Sequence, residues 1–249
     1  MPLSIFEKLE TVREKRGAVA IALLDPDKKN DSDLLNMLQL VNDSDFDVVF
    51  VGGSLISDND FESRIKAITE NTDLPVIIFP GSSNQISKHA DGVLFLSLIS
   101  GRNPQYLIDE HVKSAPVIRN LGLEVIPTAY ILLDGGVRSS VEVISNTSPI
   151  PMNKKDIILA HALAGEYLGN KLIFLEAGSG AKQHAACEII SFLSSQLITP
   201  IVVGGGVNTP DAAQKLVSSG AGYIVTGTQV EKIPLREDLQ VFTKAVHQQ

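Results

Sequence analysis

Eight short apolar runs, nearly all followed by a helical stretch, predict an α/β fold of the (β/α)8 or TIM-barrel type, with a shortened or missing third helix. The runs are apolar throughout, as parallel strands buried on both faces should be. Eight such units in 249 residues match the strand number and length of one barrel. A doubly wound sheet also alternates strand and helix, but it usually carries a glycine fingerprint after its first strand. Here Asp25-Pro26-Asp27 stands in that place. No composition break, linker or low-complexity tract divides the chain, so residues 1–249 read as one domain.

The first run, 18–24, stops at Asp25-Pro26-Asp27. A helix capped near Asp31 or Ser32 follows, with Leu34, Leu35, Leu38 and Val41 expected on its buried face. The second run, 48–51, ends at Gly52-Gly53-Ser54, and a helix over 61–69 turns Phe61, Ile65 and Ile68 inward. The third run, 76–79, ends at Pro80-Gly81-Ser82. Only residues 83–91 separate it from the fourth, 93–99, which is short for a full crossover helix. After Gly101 and Pro104 a long helix is expected to about Asn120, then a fifth run over 124–133. Residues 134–152 are rich in Ser, Gly and Pro and form the longest irregular connection, the kind that usually serves as a lid or binding loop. A helix over 155–168 stops at Gly169, and the sixth run, 172–176, leads to a helix over 182–197. The seventh run, 201–203, precedes a helix with Thr209 as N-cap and Pro210 in its first position. An eighth run, 223–226, and a helix over 235–247 follow.

In a barrel the residues just after each strand share one rim, where active sites are built. That rim collects Asp25, Asp27, Gly52 to Ser54, Gly81, Ser82, Glu176 to Gly180, Gly204 to Gly206 and Gly227-Thr228. The central stretch is I-F-L-E-A-G-S-G-A, 173–181. A strand ends there in a carboxylate, Glu176, breaks into Gly178-Ser179-Gly180 and is expected to open a helix at Ala181. Free backbone N–H groups and the positive end of the helix dipole would favour phosphate. Gly204-Gly205-Gly206 and Gly227-Thr228 extend this anion site. After the first two runs, Asp25 and Ser54 suit Mg2+, a hard ion that takes few protein ligands, unless they are turn residues alone. Between the two halves lies Glu176, whose partial desolvation would raise its pKa and make it a base. The arrangement suggests a substrate monophosphate beside a magnesium-bound polyphosphate, with the base deprotonating a nucleophile on the monophosphate and diphosphate leaving.

Composition excludes other classes. A formal net charge of −8 argues against nucleic acid and against docking on an anionic membrane by charge. No apolar run approaches the roughly 20 residues needed to span a bilayer, and 1–16 has no signal-peptide core, so a cytoplasmic protein is expected. The lone Cys187 reads as a small core residue. The five His are scattered, without zinc spacing, and neither a Walker loop nor a Ser-His-Asp order is readable.

Six motifs together carry a resemblance: L-L-D-P-D-K (23–28), V-G-G-S (51–54), F-P-G-S (79–82), F-L-E-A-G-S-G-A (174–181), V-G-G-G-V (203–207) and V-T-G-T (225–228). The chain resembles the geranylgeranylglyceryl phosphate synthase family, which also includes heptaprenylglyceryl phosphate synthases. F-L-E-A-G-S-G-A is the specific part, whereas V-G-G-G-V is common to many phosphate-binding barrels. The resemblance implies a modified TIM barrel that uses Mg2+ to alkylate the C3 hydroxyl of sn-glycerol 1-phosphate with a polyprenyl diphosphate. By motif position, Asp25 and Ser54 would hold Mg2+ and Glu176 would be the base. Phe174, Leu175, Glu176, Ala177, Gly178, Ser179, Gly180, Gly205, Gly206, Gly227 and Thr228 would hold glycerol phosphate. The family often carries Tyr where this chain has Phe174, so a hydroxyl is missing there. The family also commonly lacks a full third helix, and it forms homo-oligomers, dimers or hexamers. An apolar prenyl groove is expected near Tyr130, Leu132 and the 134–152 connection. Two other readings keep the phosphate turns: a metal-free sugar-phosphate isomerase with Asp25 facing Glu176, and a non-catalytic phospholigand-binding barrel.

Overall fold

In a computed structural model describing residues 3–56, 58–232 and 235–248, eight parallel strands close into a barrel in chain order. They are β1 (Val19–Leu24), β2 (Val48–Val51), β3 (Val76–Ile78), β4 (Gly92–Leu98), β5 (Glu124–Leu132), β6 (Leu172–Glu176), β7 (Ile201–Gly204) and β8 (Tyr223–Thr226). Pairing of β1 with β8, from Val19 opposite Tyr223 to Ala22 opposite Thr226, closes the ring. Strand parity sorts the side chains into two cores. Ile21, Phe50, Phe174 and Tyr223 fill the barrel, whereas Ala20, Val49, Leu175 and Ile224 pack outward under the helices.

The helices are α1 (Ile5–Arg16), α2 (Leu34–Asn42), α3 (Phe61–Thr69), α4 (Glu110–Leu121), α5 (Ser140–Ser145), α6 (Lys155–Tyr167), α7 (Cys187–Ser194), α8 (Pro210–Ser218), α9 (Thr228–Glu231) and α10 (Arg236–Val246). α1 was not read from the sequence, although its signal was present. Ser4 and Glu7 cap each other reciprocally, Ser4 N–H donating to the Glu7 carboxylate at 2.8 Å and Glu7 N–H to Ser4 Oγ at 3.2 Å. The helix plugs the barrel floor: Leu9 joins the interior core, and Glu10 accepts a hydrogen bond from Tyr223 at 2.5 Å. Toward the other end of the chain, Thr209 caps α8 from its N-cap position with Pro210 next, as its sequence requires.

Four departures matter. In α2 the buried stripe is Leu34, Met37, Leu38 and Val41, while Leu35 is 49% exposed. The i, i+3, i+4, i+7 spacing selects Met37, and Leu35 falls off that face. The connection 134–152 contains α5, whose N-cap Ser139 accepts from Glu142 N–H. The helix expected over 182–197 spans only Cys187–Ser194. Lys182 and Gln183 N–H instead donate to the Gly135 carbonyl, at 2.9 and 3.4 Å, which holds that segment out of helix. Cys187 accordingly starts α7 and is half-buried against the outer core. Finally, a π-helical turn, Gln105–Asp109, leads into α4.

Between β3 and β4 the chain makes turns without a helix, as its length demanded. Asp91 ties the two strands together by accepting the Val76 N–H at 2.8 Å.

Close approach of loops above the barrel depends on Gly52, where a Cβ would lie 1.8 Å from the Phe79 carbonyl oxygen. Gly52→Ala is expected to destabilise the fold by more than about 3 kcal/mol. At Gly122, where nothing lies within 4 Å, Gly122→Ala should cost only about 1 kcal/mol from its positive φ. Denaturant midpoints of the two variants check the contrast, and equal losses would contradict it.

Candidate active site

The loops after the strands enclose a cavity of about 640 Å³ at one end of the barrel. One wall is made by the turns after β6, β7 and β8, through Ser179, Gly205, Gly206, Gly227 and Thr228. A second, after β1 and β2, carries Asp25, Asp27, Lys29, Gly53 and Ser54. The third is apolar and runs along β4 and α4.

Glu176 ends β6 and is 7% exposed. Its Oε1 accepts the Gly178 N–H at 2.6 Å, a bond within the turn itself. Burial pushes its pKa up to about 7, and the Gly178 hydrogen bond only partly offsets this. The β7 turn packs directly on the carboxylate. Gly205 has φ +76°, and a Cβ there would lie 2.5 Å from Glu176 Oε1. Only glycine permits both the conformation and the approach. Tyr130, beneath the rim, has its phenol pushed well above the usual range by burial and by the Glu176 charge, so it stays protonated. Because α7 starts only at Cys187, no helix dipole backs the Gly178–Gly180 turn. What this wall can offer an anion is therefore the N–H groups of the glycine turns, and α9 begins on the rim at Thr228.

On the second wall, Asp25 Oδ2 pairs with Lys29 Nζ at 2.7 Å. Its Oδ1 is buried and has no hydrogen-bond partner among the described residues. A buried, unpartnered carboxylate oxygen beside a cavity suits a hard cation. No group of three His, Cys, Asp or Glu gathers among the described residues. A cation here would draw most of its ligands from water and substrate, which fits Mg2+ better than an ion needing a full protein cage. Two buried side chains, which the sequence reading missed, hold these loops. Arg64 of α3 is 6% exposed and donates to Asp31 at 2.5 and 2.9 Å, to Asp58 at 2.7 and 2.8 Å, and to the Pro26 carbonyl at 3.2 Å. It therefore links the loop carrying Asp25 to the segment that follows Ser54. Gln85, in the connection without a helix, donates to the Gly53 carbonyl at 2.9 Å and accepts from Gly81 N–H at 3.0 Å. A lone Arg in an amphipathic helix gives no signal of such a role, because its partners come from two distant loops.

The apolar wall uses both faces of β4: Leu94, Leu96 and Leu98 from inside the barrel, Val93 and Phe95 from outside. Tyr106, His111 and Ile118 face it from the segment leading into and through α4, and Val141 and Ile144 of α5 border it. The expected groove residues Tyr130 and the 134–152 connection do line the cavity, whereas Leu132 is buried in the barrel. The β4 and α4 contribution was not anticipated. Several residues placed on glycerol phosphate by motif do not reach the wall. Leu175 points outward under the helices, on the opposite face from Glu176, and Ala177 is buried. Phe174 is fully buried below the cavity, stacked on Phe79 at 5.3 Å and tilted against Tyr130 at 5.3 Å. Gly178 and Gly180 shape the turn without lining the space.

A family model described as the PcrB family matches residues 10–246. The chain belongs to the PcrB family. Its curated relatives include the geranylgeranylglyceryl phosphate synthase of Chitinophaga pinensis, 44% identical over 88% of each chain. The enzyme of the same name from Thermococcus kodakarensis is 39% identical over 97% of this chain and 95% of its own. Among solved structures, (S)-3-O-geranylgeranylglyceryl phosphate synthase from Thermoplasma acidophilum, in complex with its substrate sn-glycerol-1-phosphate, superposes with a TM-score of 0.92. That chain is 33% identical, and both chains are covered completely.

Removing Arg64 leaves two carboxylates and a carbonyl without their common partner. Arg64→Met should destabilise the protein by about 2 kcal/mol, discounted because Asp31 is 50% exposed. Denaturant unfolding measures this, and Asp31→Asn should be milder.

Proposed function

We propose that the chain is a prenyltransferase of ether-lipid formation. It joins a polyprenyl diphosphate, such as geranylgeranyl diphosphate, to the C3 hydroxyl of sn-glycerol 1-phosphate and releases diphosphate. The observation that carries the reading is Glu176: a buried carboxylate whose pKa is pushed up to about 7, set between glycine turns and an apolar groove. Kinship to the named synthases, one solved with sn-glycerol-1-phosphate, supports the same substrate class here.

In this reaction the glycerol phosphate binds on the N–H groups of the turns after β6, β7 and β8. Its C3 oxygen attacks the allylic C1 of the prenyl chain as the bond from C1 to the diphosphate oxygen breaks. Glu176 takes the C3 hydroxyl proton, and burial makes it basic enough to do so near neutrality. Tyr130 and the β4–α4 wall receive the hydrocarbon and exclude water. Asp25 and Ser54 would hold Mg2+, which when bound supplies neutralisation of the diphosphate charge. An isomerase using Asp25 as a second acid or base would have no use for the apolar wall along β4 and α4. A homo-oligomeric assembly, which rests on the family resemblance, and a cytoplasmic location, which rests on the apolar patterning of the sequence, belong to the same proposal. No helix among the described residues is long and apolar enough to cross a membrane.

Product analysis by mass spectrometry tests the reading, with sn-glycerol 1-phosphate, prenyl diphosphates of increasing length, and magnesium present or absent. A magnesium-dependent ether, poor with the sn-3-phosphate enantiomer, is expected; folded protein that forms no ether with any donor would refute it. Glu176→Gln should lower kcat/KM by about 10²- to 10⁴-fold while leaving glycerol phosphate binding largely intact. Wild-type kcat/KM should rise with pH through about 7 and then level off, since the base acts ionised. Stability runs the other way. A carboxyl whose folded pKa is raised contributes stability below its unfolded pKa and loses it as pH rises through the folded one. Glu176→Gln should therefore gain stability relative to wild type between about pH 4.5 and 7, by up to about 3 kcal/mol in thermal or denaturant melts.

A further inference from the structure

Asp25 uses its two oxygens differently: Oδ1 is buried and unpartnered among the described residues, and Oδ2 is held by Lys29. The two partners are also unequally fixed, the Lys29 side chain being 62% exposed and that of Asp25 21%. An ion pair with one such mobile member holds by a factor of only a few. A divalent cation reaching Oδ1 would lie within a few Å of the Lys29 ammonium, and like charges that close repel. Lysine is a point charge on a flexible stem and can leave at little cost. It also lines the cavity. The other described cationic side chain on the cavity wall, Arg138, pairs with Glu142 at 3.5 Å.

We propose that Lys29 is the resident counter-ion of Asp25, which yields the carboxylate to an arriving divalent cation and then neutralises the diphosphate beside it. The ion pair holds the metal-free carboxylate in place, so Asp25 is not left as a bare charge at the cavity wall. Displacement by the cation then frees a positive charge where the diphosphate must be held, which couples cation binding to diphosphate capture. Lys29 thus competes with the cation in the empty enzyme and cooperates with it in the loaded one. This inference rests on the prenyltransferase reading, in which a divalent cation and a diphosphate share this wall.

The test uses Mn2+ in place of Mg2+, with free and bound ion counted by electron paramagnetic resonance, and inorganic pyrophosphate as the anion. Without pyrophosphate, Lys29→Gln should bind Mn2+ roughly three- to tenfold more tightly than wild type, because a competitor has been removed. With Mn2+ present, the same variant should bind pyrophosphate roughly tenfold more weakly, and Lys29→Arg should recover most of that binding. In turnover, the KM for prenyl diphosphate should rise more than kcat falls. Asp25→Asn serves as the control and should lose the Mn2+ site. Unchanged or weaker Mn2+ binding by a folded Lys29→Gln, with Asp25→Asn still defective, would overturn the counter-ion role alone. If the Asp25→Asn control binds Mn2+ as well as wild type, the metal reading on which the inference depends is removed instead.

Discussion

The structure turns on how a carboxylate can be buried at the rim of a barrel. Glu176 meets that constraint with backbone. Its own turn supplies the Gly178 N–H, and the β7 turn closes over it at Gly205, where a side chain would collide with Oε1. Gly204, just before, abuts both Oε2 and the Phe174 ring. The carboxylate is thus desolvated by glycines above and an aromatic stack below. That desolvation raises its pKa and makes it a base suited to neutral pH. Glycine is needed there for approach as well as for turning, and this links the wall of glycine turns and the buried carboxylate into one construction.

The second organising fact is an omission. Without a helix between β3 and β4, the outer face of β4 is left to line a groove instead of packing under a layer of its own. The short connection does two things in that place. It opens an apolar channel from the polar rim toward α4, and it provides Gln85, which knits the β2 and β3 loops together. An apolar hydrocarbon and a charged head can then lie in one continuous cavity. Arg64 does the comparable work between the β1 and β2 loops. In both cases a buried polar side chain ties one rim loop to the next.

The barrel itself was legible because its determinants are local. Apolar runs of strand length, Thr209-Pro210 at a helix start, Gly169 after a helix end and an interval of nine residues where a helix would not fit each act within a few positions of the chain. Even α1, which was missed, had its Ser4–Glu7 signature in plain view. The α7 boundary was misjudged for a different reason. Residues 182–186 have helical composition, but the Gly135 carbonyl from a distant loop captures the N–H groups at its start.

The same division separates the site residues. By itself, the sequence determined the strand ends, and strand ends determine which residues reach the rim: Asp25, Ser54, Glu176, Gly205, Gly206 and Thr228 all line the cavity. Strand parity also sends Leu175 to the outer core, although motif position had grouped it with its neighbours. Only the tertiary structure decided that the groove follows β4 and α4, that Arg64 and Gln85 brace the wall carrying Asp25 and Ser54, and that Lys29 holds Asp25. Each of these depends on which loops meet across the barrel mouth, and that distance in space leaves no trace in the spacing of residues along the chain.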